Sequence, residues 1–330
     1  MKKILVAGAG GFIGGHLVAK LLYEGNWAVR AVDSKPLEDW YQQFGEAENL
    51  RLDLSLFGDC EEAAAGVDMV YNLAADMGGM GFIENNKALC MLTVLINTHL
   101  LKASSDAGVE RFFFASSACV YNASKQSDFD SPRLREQDAY PAMPEDGYGW
   151  EKLFSERMCR HFYEDFGMEA RVARYHNVYG PHGTFSGGRE KAPAAICRKV
   201  IEAKLGRTSE IEIWGTGEQS RSFMHVDDCI EGTLSIMRSE NLDSPINLGS
   251  EETVTINGLV DLVEDIAGTK LLRTYNLSAP KGVNGRSSDN TLIRQVFDWE
   301  PSISLRTGLE TTYQWIYDQM ASGIGRGEVR

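Results

Sequence analysis

The run Lys3–Ala7 (KILVA) passes directly into Gly8-Ala9-Gly10-Gly11-Phe12-Ile13-Gly14, and this junction constrains the fold more than any other segment. The run predicts a strand. The residues beyond it carry apolar side chains at helical spacing through Phe12, Leu17, Leu21 and Leu22. Glycines at 8, 11 and 14 suit a strand-to-helix turn that cradles a pyrophosphate. The first permits the tight turn, the second lets backbone approach the anion, and the third lets helix and strand pack closely. A glycine-rich turn alone is a weak signal; a strand before it and a helix after it supply the context. A second strand is predicted at Ala28–Val32, with Asp33 at its end. A carboxylate there accepts hydrogen bonds from the adenosine ribose and repels a 2′-phosphate, so NAD is expected over NADP, with Arg30 and Lys35 nearby as opposing signals. Asp53 is placed to reach the adenine edge. Either carboxylate has a plainer reading as a solvated loop residue.

Further strands are predicted at Leu50–Leu52, Met69–Leu73, Arg111–Ala115 and Glu169–Ala173, with helices at 56–65, 85–107 and 147–166 between them. Alternation of this kind implies βαβ units and a parallel sheet. After Asn177 the pattern loosens. Helices are expected at 190–203, 226–237, 256–266, 289–296 and 305–320, and short strands at Glu210–Trp214 and Ser222–His225. The expected class is therefore α/β: a Rossmann-type doubly wound parallel sheet over 1–176. A smaller α+β lobe for substrate would cover 177–330, with some of its segments returning to the first domain.

Composition excludes several partners. The 330 residues carry 33 Lys and Arg against 47 Asp and Glu, a net charge of −14, which argues against nucleic acid or an anionic membrane. No apolar run reaches the roughly 18 residues of a membrane span. The N-terminal apolar stretch is short and broken by glycine, so it reads as strand and turn rather than a secretory signal. The expected location is the cytoplasm. Cys60, Cys90, Cys119, Cys159, Cys197 and Cys229 form no CxxC and no cluster with His, so no metal is expected. Most of these read as small buried hydrophobes.

Two segments carry chemistry. Ser116-Ser117-Ala118-Cys119 follows the fifth strand, and Tyr148-Gly149-Trp150-Glu151-Lys152 opens a helix. Tyr148 and Lys152, four residues apart, share a helix face. A neighbouring ammonium lowers a phenol's pKa, so Tyr148 is expected to take a hydroxyl proton while NAD takes the hydride. Ser117 is expected to hydrogen-bond the same substrate oxygen. His176 and His225 do not make a serine triad, because no GxSxG is present. Trp214 and the aromatics of Arg111–Ala115 read as core.

With the glycine turn, the Ser and the YxxxK in place, the chain resembles the extended short-chain dehydrogenase/reductase family of nucleotide-sugar epimerases. The resemblance runs from Ile4 to about Trp315 and includes Asn72-Leu73-Ala74-Ala75, Asn177-Val178-Tyr179-Gly180-Pro181 and Arg221-Ser222-Phe223-Met224-His225. It implies that Gly8, Gly11, Phe12, Ile13, Gly14, Asp33, Asp53, Ala74, Tyr148 and Lys152 hold NAD, and that Asn177 contacts a nucleotide diphosphate. Dehydratases of the family place an Asp-Glu pair where this chain has Ala118 and Cys119. Three strings, 75–82 (ADMGGMGF), Ser117-Ala118-Cys119 and 187–194 (GGREKAPA), are similar instead to the branch that inverts C3 and C5 of GDP-mannose. That resemblance implies a GDP-sugar substrate, Cys119 and Lys191 as proton carriers, and Gly78, Ser117, Glu190, Ala192, Lys199, Arg221 and Arg286 as further substrate contacts. From residue type alone, Lys191 also reads as a solvated loop cation. A homodimer is expected. Rival readings are a 4-epimerase or other isomerase on a different nucleotide sugar or GDP-heptose, and a non-catalytic NAD-sensing scaffold. The intact Ser117, Tyr148 and Lys152 argue against the scaffold.

Overall fold

Lys3–Ala7 forms the first strand, β1, and its last four residues are buried. The computed structural model describes residues 2–240 and 242–322, so residues 323–330 of the expected C-terminal lobe lie outside the described residues. α1 (Phe12–Glu24) follows, then β2 (Ala28–Asp33), β3 (Glu48–Arg51), α2 (Phe57–Ala64) and β4 (Met69–Asn72). The helix expected over 85–107 is α4 (Lys87–Asp106), and a short helix not expected from the sequence, α3 (Met80–Asn85), precedes it. The break falls where the Asn85 and Asn86 amides turn back onto the carbonyls of Gly81 (2.6 Å) and Phe82 (2.9 Å), the local competition that makes Asn a poor interior residue. β5 (Arg111–Ser117), α5 (Asp146–Phe166), β6 (Glu169–Tyr175) and β7 (Val178–Tyr179) complete the first half.

The second half begins with α6 (Ala192–Lys204), β8 (Glu210–Trp214) and β9 (Ser220–Ser222). Then come β10 (Met224–His225), α7 (Val226–Arg238), β11 (Ile246–Leu248), β12 (Thr253–Thr255), α8 (Ile256–Ala267) and β13 (Leu272–Asn276). β14 (Gly285–Arg286), α9 (Thr291–Phe297) and α10 (Leu305–Ala321) end the described chain.

The main sheet has seven parallel strands in the order β11-β6-β5-β4-β1-β2-β3. The reversal of order beside β1 leaves a crevice at the carboxyl ends of the strands, where such sheets bind ligands. Both faces are covered, which is why the strands read as continuous apolar runs. One cluster packs α1 and α7 on the sheet through Leu17, Leu21, Leu234 and Met237. The opposite one packs α2, α4 and α5 through Cys60, Leu100, Leu101 and Cys159. α4 is long and apolar enough to cross a bilayer by length and composition, yet it lies between α2 and α5 on this sheet. A third cluster joins α6, α8 and α10 through Val200, Ile201, Leu259, Val263 and Leu309. β11 was not legible in the sequence. It pairs Ile246–Leu248 with Ala173–Tyr175 as the outermost strand of the main sheet.

A buried fork-to-fork pair fastens β6 to α5. Arg174 donates to both Glu156 oxygens at 2.9 and 2.7 Å, and the Ser116 hydroxyl donates to the same carboxylate at 2.6 Å. Each member is under 5% exposed, and bidentate geometry of this kind satisfies charges that burial would otherwise penalise.

Candidate active site

The turn after β1 is as tight as its glycines suggest. A Cβ at Gly14 would lie 2.1 Å from the Gly8 carbonyl oxygen, and one at Gly8 would lie 2.9 Å from the Ala74 nitrogen at φ +83°. Gly11 stands at the N-cap of α1 without a side-chain acceptor, so among the described residues the first N–H groups of α1, from Phe12 and Ile13, have no side-chain cap. That arrangement fits a bound pyrophosphate. Asp33 ends β2, and its carboxylate accepts the Lys35 N–H at 3.1 Å. Asp53 accepts the Ser55 N–H at 3.0 Å. Ala74 lies beyond β4, its N–H held by Asn72 Oδ1 at 3.2 Å.

Arg30 is spent elsewhere. Its guanidinium pairs with Glu48 at 2.9 Å and donates to the Glu62, Ala63 and Ala65 carbonyls at the end of α2. It caps a helix and is not a candidate for a 2′-phosphate. Lys35 stays near the turn, 3.4 Å from the Gly10 carbonyl. Gly10 escaped the sequence reading: the Trp40 indole would lie 2.6 Å from a Cβ there.

β5 carries Ser117 to the carboxyl edge of the sheet, where its hydroxyl accepts the Cys119 N–H at 3.2 Å and starts a short 3₁₀ turn, Ala118–Val120. Cys119 packs against Tyr148 and Cys90. A Cβ on Gly149 would be 2.3 Å from the Cys119 carbonyl, so that glycine lets α5 press against the thiol segment. Tyr148 is 5% exposed and Lys152 is 2% exposed. The Lys152 ammonium lies 5.5 Å from the Tyr148 ring centroid, 4.7 Å from that of Phe114 and 3.8 Å from a Glu151 oxygen. The sequence led us to expect a lowered phenol pKa. In the protein alone burial dominates: it pushes Tyr148 well above the ordinary phenol range, Cys119 and Glu151 add to the rise, and the hydrogen bond with Ser117 opposes it.

Lys191 caps α6 at the end of a loop that lies over the segment Ala75–Met80. Gly79 donates its N–H to the Arg189 carbonyl at 3.0 Å, and a Cβ on it would be 2.4 Å from the Glu190 carbonyl. A Cβ on Gly78 would sit 3.2 Å from the Arg189 Cα and 2.9 Å from the Phe82 side chain. The Arg189 guanidinium lies 3.8 Å from the centre of the Phe82 ring and pairs with Asp76 at 2.5 Å. Glu190 accepts the Gly188 N–H at 2.7 Å, and Ala192 begins α6. Burial pushes Lys191 below the ordinary ammonium range, and the nearby Cys119 thiol counters part of this. For Cys119, burial pushes the thiol up, Arg286 opposes it, and Glu145 adds to the rise. Thiols and ammoniums ordinarily titrate about two units apart. Burial moves the two toward each other, which suits a pair that each give and take protons.

Arg221 and Arg286 are register partners on the parallel pair β9 and β14. Arg221 donates to the Ser220 carbonyl at 2.8 Å and the Lys281 carbonyl at 3.1 Å, and burial lowers it to about 10. Arg286 donates from Nε to Gln126 at 2.6 Å, from Nη2 to Glu145, and from Nη1 to the Cys119 sulfur at 3.6 Å. Asn177, at φ +22°, donates to the Ser222 carbonyl at 3.1 Å. Lys199 lies on α6 and reaches the Glu212 carbonyl at 2.7 Å. His176 is fully buried and bonds Asn247 at 3.0 Å, with burial lowering it to about 3. His225 caps α7 by accepting the Asp227 N–H at 3.3 Å. Among the described residues, neither histidine is bonded to a serine hydroxyl. Trp214 is 40% exposed, and its ring would lie 3.1 Å from a Cβ on Gly81, so it is not the core residue expected. Glu145, Gln126 and Glu151 carried no signal in the sequence because their partners are remote or paired only by the fold.

Comparison with known proteins places the chain in a family. The family described as "NAD dependent epimerase/dehydratase family" matches residues 4–249. A GDP-mannose 3,5-epimerase of Arabidopsis thaliana is 43% identical over 98% of this chain and 85% of its own. GDP-mannose 3,5-epimerase 1 of Oryza sativa subsp. japonica is 44% identical over 96% of this chain and 82% of its own. Among solved structures, the UDP-glucose 4-epimerase of Thermotoga maritima with UDP-glucose superposes with a TM-score of 0.82 at 25% identity, covering 96% of this chain and 99% of that one. The UDP-glucuronic acid 4-epimerase of Bacillus cereus, solved with UDP-glucuronic acid and NAD, gives the same score, identity and coverage. With the glycine turn, the Ser117–Tyr148–Lys152 set and the strand order all in place, the chain belongs to the NAD dependent epimerase/dehydratase family.

Proposed function

We propose that this protein inverts C3 and C5 of GDP-mannose, giving GDP-L-galactose and, by inversion at C5 alone, GDP-L-gulose. The observation that carries the reading is the buried Cys119 thiol clustered with Tyr148 just past Ser117, with the Lys191 ammonium close enough to interact with it electrostatically. The named relatives at 43% and 44% identity support it.

NAD, when bound, supplies a reversible hydride acceptor for C4. Tyr148 takes the proton of the C4 hydroxyl and later returns it, while Ser117 holds that oxygen. With a carbonyl at C4, the hydrogens on C3 and C5 become acidic. Inversion then needs a base on one ring face and an acid on the other, the roles given to Cys119 and Lys191. Arg221 and Arg286 lie side by side with Glu145 as the acidic partner bonded to Arg286, and the surplus positive charge suits a diphosphate. Gly78, Asn177, Glu190, Ala192 and Lys199 complete the substrate side in this reading, with the part after residue 176 acting as the substrate lobe. Wild-type protein incubated with GDP-mannose in deuterated water should incorporate deuterium at both C3 and C5. No exchange at either carbon would rule the reaction out.

On the cofactor side, Gly8, Gly11, Phe12, Ile13 and Gly14 would hold the pyrophosphate, Asp33 the ribose, Asp53 the adenine edge and Ala74 the backbone of the crevice. NAD should raise the melting temperature more than NADP at equal concentration, because Asp33 stands where a 2′-phosphate would go. Equal or reversed shifts would take that role from Asp33.

The functional unit in this reading is a homodimer. Leu89, Met91, Leu92 and Leu95 on α4, and Trp150 and Phe154 on the adjoining α5, are each between 39% and 57% exposed. An apolar patch of this kind favours a second copy as its cover. Leu92→Glu should turn a dimer into a monomer in sedimentation velocity; a wild-type monomer would end the proposal. Six unpaired cysteines support a reducing compartment, the cytosol.

A further inference from the structure

Arg286 brings three segments together at the thiol. It arrives on β14, more than a hundred residues after Cys119, and its side chain is 6% exposed. Nε is held by Gln126 at 2.6 Å, Nη2 by the Glu145 carboxylate, and Nη1 points at the Cys119 sulfur at 3.6 Å. A guanidinium is a rigid planar fork, so fixing two of its corners fixes the third. Glu145 is also tied to the site through its backbone. Its N–H donates to the Cys119 carbonyl at 3.1 Å, and its own carbonyl accepts the Gly149 N–H at 2.9 Å, one residue past Tyr148. One residue, at the start of α5, thus joins the thiol, the cation facing it and the tyrosine's helix.

We propose that Glu145 is a positioning residue for proton transfer: its carboxylate aims Arg286 at the Cys119 sulfur and offsets enough of that cation's charge for the sulfur to return its proton. The proposal rests on the reading of Cys119 as a proton carrier. Charge decides why both functions are needed. A sulfur that both gives and takes a proton in each turnover must not be held permanently in either state. Buried without a cation it would stay a thiol; facing an uncompensated guanidinium it would stay a thiolate. The other ionisable groups around this sulfur are Tyr148 on α5, Lys191 before α6, Arg221 on β9 and Cys90 on α4. Among the described residues, Arg286 is the charged group hydrogen-bonded to the sulfur, beside the neutral Ser117 hydroxyl, and Glu145 is the carboxylate bonded to Arg286.

The test reads thiol ionisation without turnover. NAD-loaded protein is treated with iodoacetamide across a pH series, and modification at Cys119 is followed by mass spectrometry of the peptide. Glu145→Gln keeps the shape and an acceptor for Arg286 but removes the negative charge, so alkylation near neutral pH should rise about tenfold, one unit in the thiol's titration. Glu145→Asp keeps the charge but draws the guanidinium away from the sulfur, so alkylation should slow. Arg286→Gln should slow it further. A structural role for Glu145 would move the first two variants in the same direction, and that result overturns the proposal. So does an unchanged rate in both. Should Glu145→Gln fail to fold, judged by its melting temperature and NAD retention, the Asp and Arg286 variants still decide, since an alkylation rate at or above wild type in both contradicts the arrangement. Loss of the Cys119 role is read separately, from solvent exchange in a Cys119 variant, so the two ideas fail by different measurements.

Discussion

Cys119→Ala and Lys191→Ala should each stop solvent deuterium from entering the substrate at its normal rate while leaving C4 oxidation in place. The substitutions remove a thiol and an ammonium, and they leave Tyr148, Lys152, Ser117 and the glycine turn untouched. Acid–base groups of this kind contribute about 10²–10⁴-fold, or roughly 3–5 kcal/mol of barrier, so the loss should be large. The measurement is mass-resolved deuterium at C3 and C5, taken beside the absorbance of reduced cofactor on the enzyme. In a 4-epimerase neither carbon would exchange, because the ketone is reduced before an α-proton moves. If Cys119→Ala exchanges both positions at the wild-type rate, Cys119 joins the other buried cysteines, which pack as small apolar groups. The burial shifts also set a direction with pH. Lys191, pushed down, must be neutral to act as a base, so exchange should rise with pH as it loses its proton.

Tyr148→Phe should abolish turnover altogether, including oxidation at C4. The change deletes one oxygen from a buried ring that packs against Cys119, Cys90 and Ile83, so its volume and contacts survive. Steady-state kinetics should show kcat falling by at least the same 10²–10⁴-fold with little change in KM, the signature of a group that acts in the transition state. Near wild-type turnover in that variant would remove the proton-transfer role. The contrast with the preceding variants is diagnostic: without Tyr148 neither C4 chemistry nor exchange occurs, whereas without Cys119 only exchange is lost.

Most of the segments that the structure brings together at the candidate site were legible in the sequence because they sit at element boundaries. Gly8, Gly11 and Gly14 announce a strand-to-helix turn, and Tyr148 and Lys152 share a helix face by spacing alone. Cys119 stood out because it follows a strand end and takes the place of an expected acid. What stayed hidden was made by contacts between distant segments. Arg286 was expected as a substrate contact, yet its hydrogen bond to the Cys119 sulfur depends on β14 folding beside the 3₁₀ turn, which no local pattern encodes. Glu145 belongs to no motif in the sequence. Gly79 and Gly10 matter only because Glu190 and Trp40 come to rest on them. β11 was missed because three residues cannot display a period, and its strand character comes from lying against β6.

That last strand has a consequence for how the chain can be assembled. The outer edge of β6 is finished by residues made roughly seventy positions later, after the segment bearing Lys191, Arg221 and α7 has been made. Until they arrive, a nascent chain carries an open parallel edge with its amides unpaired. A fragment cut at residue 176 would keep that edge for good and should associate through it rather than behave as a free-standing cofactor module. The two halves are therefore laced rather than strung together. A circular permutant that keeps β6 and β11 on one polypeptide should fold where a simple truncation does not.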